Sequence, residues 1–220
     1  MDNCVPAFIR NSYWFMYPFY FVAYRGRNIK QVMNFKSLVH TFSKEDNKKF
    51  YSELNSISRN RKSDLTEKQI RAILKCINKD DKNILDIGCG NGHLLKRIQK
   101  EHPHISAAGM DIVNVLQDDI QFHEGSITAI PFKNDEFDIV ICTHTIEHIL
   151  DLPSAIKELE RVTRKQLIVV TPCQRYFYYT LDEHVNFFPK EEMLTSLFSF
   201  SKFSCRKINF DWVYTGFKNL

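Results

Sequence analysis

The sequence has no uninterrupted apolar run of about eighteen residues, no Cys-x-x-Cys pair and no internal repeat. Without such an apolar run we expect no transmembrane helix. The six cysteines are dispersed, and several of them lie inside apolar runs and are predicted to be small buried hydrophobes. A reduced, cytoplasmic compartment is therefore expected. The N-terminus also lacks the basic stretch of a secretory signal peptide. Because the lysines are scattered and the formal net charge is only +4, a nucleic-acid-binding face is not expected.

What is present is the composition of a folded domain. Of 220 residues, 44% are hydrophobic and 25% are charged, which suffices for one full core with an appendage. From about residue 83 to 172, apolar strands alternate with amphipathic helices, and this alternation predicts a parallel sheet with crossover helices. We expect an N-terminal cap over residues 1–80 and the sheet domain over residues 81–220.

The predicted elements follow from these periodicities. The strands are predicted at Asn83–Ile87, Ile105–Asp111, Ile120–His123, Phe137–Thr143, Leu167–Thr171, Phe203–Phe210 and Trp212–Phe217. The helices are predicted near Gly92–Lys100, Pro153–Val162 (with Asp151 as its cap) and Lys190–Phe198. The connection Asn114–Asp119 is long enough for only one turn of helix.

One short stretch carries the strongest functional signal. The strand Ile84–Ile87 runs directly into three alternating glycines, Gly88, Gly90 and Gly92, and an amphipathic helix follows. Such glycines let the backbone turn tightly and approach a ligand at a helix N-terminus. No Gly-Lys-Ser/Thr follows, and the third glycine comes two residues after the second, so neither a P-loop nor the dinucleotide fingerprint is matched. The carboxylate of Asp86 would repel a pyrophosphate and suits a ligand that carries an ammonium group.

This stretch resembles motif I of the class I S-adenosylmethionine-dependent methyltransferases. The resemblance implies an α/β fold with a Rossmann-like seven-stranded sheet, mostly parallel with a C-terminal antiparallel hairpin, plus the N-terminal cap. It also implies S-adenosylmethionine as the cofactor. In that family the loop, here Gly88 and Gly90, holds the methionine end of the cofactor, and the acid, here Asp86, pairs with its amino group.

Further cofactor contacts are predicted at later strand ends. Asp111 ends the second strand about twenty residues past the glycine loop, where an acid accepts the ribose hydroxyls of an adenosine, and Ile112 would lie against the adenine face. In the family an Asp commonly occupies the position of Ser126, whose hydroxyl would take the adenine amino hydrogen here. The Ile127 N–H would bond a ring nitrogen, and Thr143 at the end of the fourth strand completes the predicted cofactor set.

Four polar residues follow the fourth and fifth strands. His144, Glu147 and His148 have helical spacing, and His184 lies in a later segment that can fold over the same mouth. They resemble the Glu-x-x-Glu-His motif and later His with which some ubiquinone-type and small-RNA 3′-end methyltransferases hold a divalent metal, although His144 replaces the first Glu. We expect His184 to act as a general base, with His144 and His148 as the next candidates. A metal held by the four residues, of the Zn²⁺ or Mn²⁺ type, and purely structural roles are the alternatives.

The N-terminal region does not belong to the strand–helix alternation. Residues 12–24 contain eight aromatic side chains around Pro18. Three interpretations are open: a helical or extended cap buried against the domain, a lid over the substrate, or a peripheral membrane anchor at residues 10–30 with flanking basic side chains. The polar stretch Lys44–Asp81 is predicted to be helical.

These features together predict an S-adenosylmethionine-dependent methyltransferase that acts on a hydroxyl of a small molecule, such as a quinone-like, lipid-linked or sugar-precursor acceptor. The Asn/Asp-Pro-Pro-aromatic motif of enzymes that methylate exocyclic amines of bases is absent after the fourth strand, and Glu147-His148 is common at this point in small-molecule methyltransferases. The alternatives are a non-catalytic binding or adaptor protein of the same fold and an RNA-modifying methyltransferase.

Overall fold

The computed structural model describes residues 5–53, 62–114 and 120–218. The strands are β1 Asn83–Ile87, β2 Ser106–Asp111, β3 Gln121–Glu124, β4 Phe137–Thr143, β5 Thr163–Pro172, β6 Lys202–Ile208 and β7 Asp211–Phe217. The helices are α1 Ala7–Arg10, α2 Tyr13–Ala23, α3 Ile29–Met33, α4 Phe35–Leu38, α5 Lys44–Glu53, α6 Glu67–Leu74, α7 His93–Glu101, α8 Leu152–Val162 and α9 Glu191–Thr195.

The seven strands of the described residues form one sheet in the order β3-β2-β1-β4-β5-β7-β6. The first five strands are parallel to their neighbours, whereas β7 runs antiparallel to both β5 and β6. The predicted α/β fold with a C-terminal antiparallel hairpin is therefore confirmed. Because β1 lies beside both β2 and β4, the carboxyl ends of these three strands meet at one edge of the sheet.

Most predicted elements lie within a few residues of their observed positions. Strand β5 begins at Thr163, four residues before its predicted start, because Arg164 and Lys165 pair with the buried carboxylate of Asp138 at 2.7 and 3.2 Å instead of interrupting the strand. Helix α9 ends at Thr195, before the predicted Phe198. The turn of helix predicted at Asn114–Asp119 lies, apart from its first residue, outside the described residues.

Local sequence signals explain the two helices that flank the sheet centre. The Asp151 carboxylate accepts a hydrogen bond from the Ser154 N–H at 3.2 Å and caps α8, as predicted. Helix α7 begins directly after Gly92, which has a φ of +73°. Its apolar stripe, Leu94, Leu95 and Ile98, is buried. The apolar stripe of α7 belongs to one hydrophobic cluster, and the buried side chains of α8 belong to another. Each of the two helices therefore buries one face.

The aromatic N-terminal segment forms helix α2, which belongs to a third hydrophobic cluster with α3 to α5. Its inner side chains Met16, Tyr20 and Tyr24 are buried. The Tyr20 and Tyr24 hydroxyls donate to the carbonyls of Thr180 and Leu181 at 2.6 and 2.7 Å. Helix α2 is thus fastened to the segment that follows β5, while the domain boundary at residue 80 stays a prediction.

Candidate active site

A cavity of about 960 Å³ opens at the carboxyl ends of β1, β2 and β4. This is the edge at which open α/β sheets bind ligands, and the volume is that of a small-molecule site. The predicted site residues that line it are Asp86, Gly88, Gly90, Asp111, Ile112, Ile127, Thr143, His144 and His148. The chain therefore gathers in one place most of the residues that the sequence suggested separately.

Two glycines of the loop after β1 have different roles. Gly88 has a φ of +73°, and a Cβ there would lie 2.0 Å from the Thr145 hydroxyl, so the protein's own close approach requires this glycine. Gly90 has a φ of +52°, and a Cβ there would meet nothing within 4 Å. Because Gly90 lines the cavity, the space beside it is open to a ligand.

Asp86 places a buried carboxyl at the cavity wall. Its side chain is 2% exposed, and its Oδ1 has no hydrogen-bond partner among the described residues. Burial, with a further contribution from the Asp111 charge, raises the pKa of Asp86 to about 8. An unpaired buried carboxyl is unfavourable, and a cationic group in the cavity would satisfy it. The site thus fits the ammonium group of S-adenosylmethionine.

Asp111 holds the glycine loop in place. Its Oδ2 accepts from the Gly90 N–H at 2.9 Å and its Oδ1 accepts from the Ile112 N–H at 2.7 Å. A carboxylate has about four acceptor positions, and these two backbone bonds occupy two of them. The same residue therefore positions the loop and lines the cavity.

The predicted adenine contacts Ser126 and Ile127 differ in their position relative to the cavity. Ile127 lines the cavity, and Gly125 lines it too. Ser126, between them, is not among the residues that line it; its hydroxyl lies 2.9 Å from the Thr128 hydroxyl and accepts from the Thr128 N–H at 3.3 Å. The role predicted for Ser126 has no support in this arrangement because a local turn engages the hydroxyl.

His144 lies between two carboxylates at the end of β4. Its Nδ1 is 3.5 Å from Oε1 of Glu147, and its Nε2 is 3.6 Å from Oδ2 of Asp211. Burial alone would lower the pKa of His144, but these two carboxylates outweigh it and raise the pKa overall. Burial likewise opposes the ionisation of Glu147, yet His144 and His148 hold its pKa well below the usual range. This arrangement favours a protonated His144 at the cavity wall.

His148 and His184 are neighbours at different depths. Their ring centroids are 4.9 Å apart, and the His148 Nδ1 lies 3.3 Å from the Glu183 carbonyl oxygen. His148 lines the cavity, whereas His184 is 7% exposed and is not among the lining residues. The His184 Nδ1 lies 2.7 Å from Oε1 of Gln174. Burial, and then the proximity of His148, lowers the pKa of His184 to about 3, so His184 is a weak base lying behind His148.

Backbone hydrogen bonds bring these histidines together. The N–H groups of Val185 and Asn186 donate to the Glu147 carbonyl at 2.8 and 2.9 Å. The Asn186 side-chain amide donates to the carbonyls of Ile146 and Ile149 at 2.9 and 2.6 Å. The segment after β5 is thereby fixed on the turn after β4, as its predicted folding over the same mouth requires.

Three of the four histidine-cluster residues could hold a metal ion. Glu147, His148 and His184 each present a ligand atom, and these atoms all lie within 4.8 Å of one another. His144, the remaining residue of the predicted set, is not part of this group. Two imidazoles and one carboxylate form a donor set that suits Zn²⁺ or Mn²⁺ better than Mg²⁺.

Sequence reasoning missed several residues of the site. Thr145 lies under Gly88, Asp211 flanks His144 from β7, and Tyr51 lines the cavity from α5. The Tyr51 ring centroid is 6.3 Å from that of His148. Thr145 directly follows His144 and could have been found from that neighbour. Tyr51 and Asp211 stand in no motif and come from opposite ends of the chain, so only the fold brings them to the site.

The sheet order and the ligand edge define a class I methyltransferase-type α/β protein. A family model described as a methyltransferase domain matches residues 58–199. The chain therefore belongs to the methyltransferase domain family, and motif I was assigned correctly from the sequence.

Curated relatives match parts of the chain. Ajmaline N-methyltransferase of Rauvolfia serpentina is 31% identical over 104 residues, covering 42% of this chain and 36% of that protein. A tRNA U34 carboxymethyltransferase of Nautilia profundicola is 30% identical over 95 residues, covering 38% and 31%. A ubiquinone biosynthesis O-methyltransferase of Aeromonas salmonicida is 26% identical over 113 residues, covering 47% and 44%. The matched part thus spans only about a third to less than half of these relatives, and their acceptors differ.

Solved structures agree on the fold. One from Thermotoga maritima, described as a methyltransferase and possible histamine N-methyltransferase, has a TM-score of 0.56 at 19% identity and covers 69% of this chain and 87% of that chain. The PH0226 protein of Pyrococcus horikoshii has a TM-score of 0.55 at 16% identity and covers 69% and 89%. The ubiquinone-type subclass stays a prediction.

Proposed function

We propose that this protein transfers the methyl group of S-adenosylmethionine to a hydroxyl of a small-molecule acceptor. The observation that carries the proposal is the buried Asp86 carboxyl, whose Oδ1 has no partner within the described parts of the chain, in the cavity where Gly90 presents open space. A cofactor that carries an ammonium group on a narrow aliphatic chain would pair with Asp86 and fit into the space beside Gly90. A phosphate ligand is disfavoured, because the ionised form of Asp86 would repel it and the neutral form provides no positive charge.

The cofactor, when bound, supplies an electrophilic methyl group and a good leaving group, so the protein mainly has to position and desolvate the acceptor. A hydroxyl acceptor also needs a place for its proton. His148 lines the cavity, and a hydrogen bond from its Nδ1 to the Glu183 carbonyl would leave Nε2 free to accept that proton. We therefore assign the base to His148 in place of His184, which would orient the His148 ring from behind.

The direct test is calorimetric titration with S-adenosylmethionine across pH. The Asp86 carboxyl, with a pKa of about 8, is mostly protonated at pH 6 and must ionise to pair with an ammonium group. Affinity should therefore rise about tenfold from pH 6 to pH 7 and level off near pH 8, where the cofactor's amino group loses its own charge. Binding at pH 7 should release close to one proton, measurable by repeating the titration in buffers of different ionisation enthalpy.

The matched variant is Asp86→Asn, which keeps the shape and removes the ionisable group. We expect weaker binding at pH 8 and no rise in affinity between pH 6 and 7. A wild-type affinity that is flat with pH would contradict the ammonium–carboxylate pair. Absence of any binding would instead favour an adaptor of this fold. Acceptors are then identified by incubation with methyl-labelled cofactor and candidate small molecules, with RNA as a separate arm.

A metal-assisted form of the same transfer is the second candidate, because Glu147, His148 and His184 bring three donor atoms within 4.8 Å. In that form, a chelator abolishes methyl transfer and added Mn²⁺ or Zn²⁺ restores it. Cofactor affinity should not change, since Asp86 and Asp111 lie outside the donor set. Methyl transfer that is indifferent to the chelator leaves the general-base form.

A further inference from the structure

Helix α2 is apolar on both of its sides. Its inner side is buried, but Trp14, Phe21 and Val22 on the other side are 83%, 52% and 66% exposed. The exposed residues recur at the spacing of one helical stripe. We define the outer α2 face as Trp14, Tyr17, Pro18, Phe21 and Val22. A helix that is apolar all round is normally buried, so an outer face that stays exposed among the described residues is a candidate binding surface.

The charges around this face indicate its partner. From Asn3 to Lys44 the sequence contains no Asp or Glu, whereas it contains six Lys and Arg residues. Three of these basic side chains, Arg25, Arg27 and Lys30, are exposed and come directly after α2. Glu53 of α5 lines the same small cavity as Arg27, but the sequence on either side of α2 provides only basic charged side chains. Such an excess of cations is complementary to the negative surface of an anionic lipid leaflet. Trp and Tyr rings, like those of Trp14 and Tyr17, favour the boundary between lipid headgroups and acyl chains.

We propose that the outer α2 face docks this protein onto membranes that contain anionic lipids. The aromatic side chains enter the headgroup region, and Arg25, Arg27 and Lys30 contact lipid phosphates. Within residues 5–53, 62–114 and 120–218, no helix combines the length and apolarity needed to cross a bilayer. Helix α2 has 11 residues and would lie in the plane of the interface.

The inner side of α2 links this surface to the histidine cluster. The Tyr24 hydroxyl is hydrogen-bonded to Oε1 of Glu183, whose backbone carbonyl contacts His148. The Lys36 ammonium lies over the rings of Tyr176 and Phe187, at 4.8 and 4.4 Å from their centroids. The end of α2 is therefore fixed through Tyr24 to the segment that follows β5, and Lys36 of α4 adds contacts to the same segment.

The test is co-sedimentation of the full-length chain with vesicles of phosphatidylcholine, with and without phosphatidylserine. We expect binding to the phosphatidylserine vesicles that weakens as salt is raised. The double variant Trp14→Ser/Phe21→Ser should lower vesicle affinity about tenfold or more. Arg25→Glu/Arg27→Glu should abolish the preference for phosphatidylserine. The matched control is Phe210→Ser, because Phe210 is 80% exposed on the hairpin far from the basic segment in sequence and should leave binding unchanged.

Thermal unfolding and cofactor titration establish that each variant is folded, so the test is independent of any methyl acceptor. Failure to sediment with either kind of vesicle overturns the proposal. Equal losses in the Trp14→Ser/Phe21→Ser and Phe210→Ser variants overturn it as well. Self-association in sedimentation velocity that disappears in the Trp14→Ser/Phe21→Ser variant assigns the face to a second copy of the chain instead.

Discussion

Replacing Gly90 with valine is expected to reduce affinity for S-adenosylmethionine by about a hundredfold or more while the protein stays folded. The Cβ position at Gly90 faces open cavity, so valine would occupy the space that the methionine end of the cofactor requires. The positive φ of +52° adds strain of about 1–2 kcal/mol, which a folded domain can tolerate. Calorimetric titration measures the affinity, and thermal unfolding measures the stability.

Two controls separate lost space from lost stability. Gly26→Val places the same side chain at another positive φ, +72°, in the N-terminal region outside the cavity, and should leave cofactor affinity unchanged. Gly88→Ala should instead destabilise the protein by about 1–3 kcal/mol, because its Cβ would collide with Thr145. Wild-type affinity in Gly90→Val would mean that the cofactor does not bind along this loop.

The fold was predictable because its signals are local. Apolar strands such as Phe137–Thr143 and capped helices such as the one after Asp151 can be identified from about ten consecutive residues. The parallel order of the strands then brings their carboxyl ends together. Strand β5 shows the limit. The first residues of β5 are charged, so the sequence pattern did not identify them as strand. They can join the strand because the buried Asp138, on a different strand, compensates the charges of Arg164 and Lys165.

The site was predictable where a residue's position along a strand fixes its place in space. Asp86 lies one residue before the end of β1 and Asp111 ends β2. Because these strands are neighbours, both carboxyls reach the same cavity. Ser126 lies in a turn, and the nearby Thr128 determines where its hydroxyl points. The depth of His184 depends on how Asn186 fastens its segment, and the partnership of His144 with Asp211 depends on strand β7. Long-range contacts of this kind leave no pattern in a single sequence.

Substituting His148 with alanine is expected to lower turnover by about 10²–10⁴-fold with little change in cofactor affinity. His148 lines the cavity and is the base that we propose, whereas Asp86 and Asp111 are the proposed cofactor contacts. The loss should shrink at high pH, where the acceptor hydroxyl begins to ionise unaided. Steady-state rates with an acceptor from the labelled-cofactor screen, followed across pH, provide the measurement.

The informative comparison is with His184. The two ring centroids are 4.9 Å apart, but His148 lines the cavity and His184 is not among the lining residues. His184→Gln removes the second imidazole and retains a polar side chain near Gln174. We expect a smaller loss of turnover than in His148→Ala and a lowered melting temperature, because the buried hydrogen bond to Gln174 is disturbed. A larger loss of turnover in His184→Gln than in His148→Ala, with unchanged stability and no response to chelator, would mean that His184 is the base. Unchanged turnover in both variants would mean that positioning of the acceptor alone carries the reaction, since sulfonium is already a good leaving group.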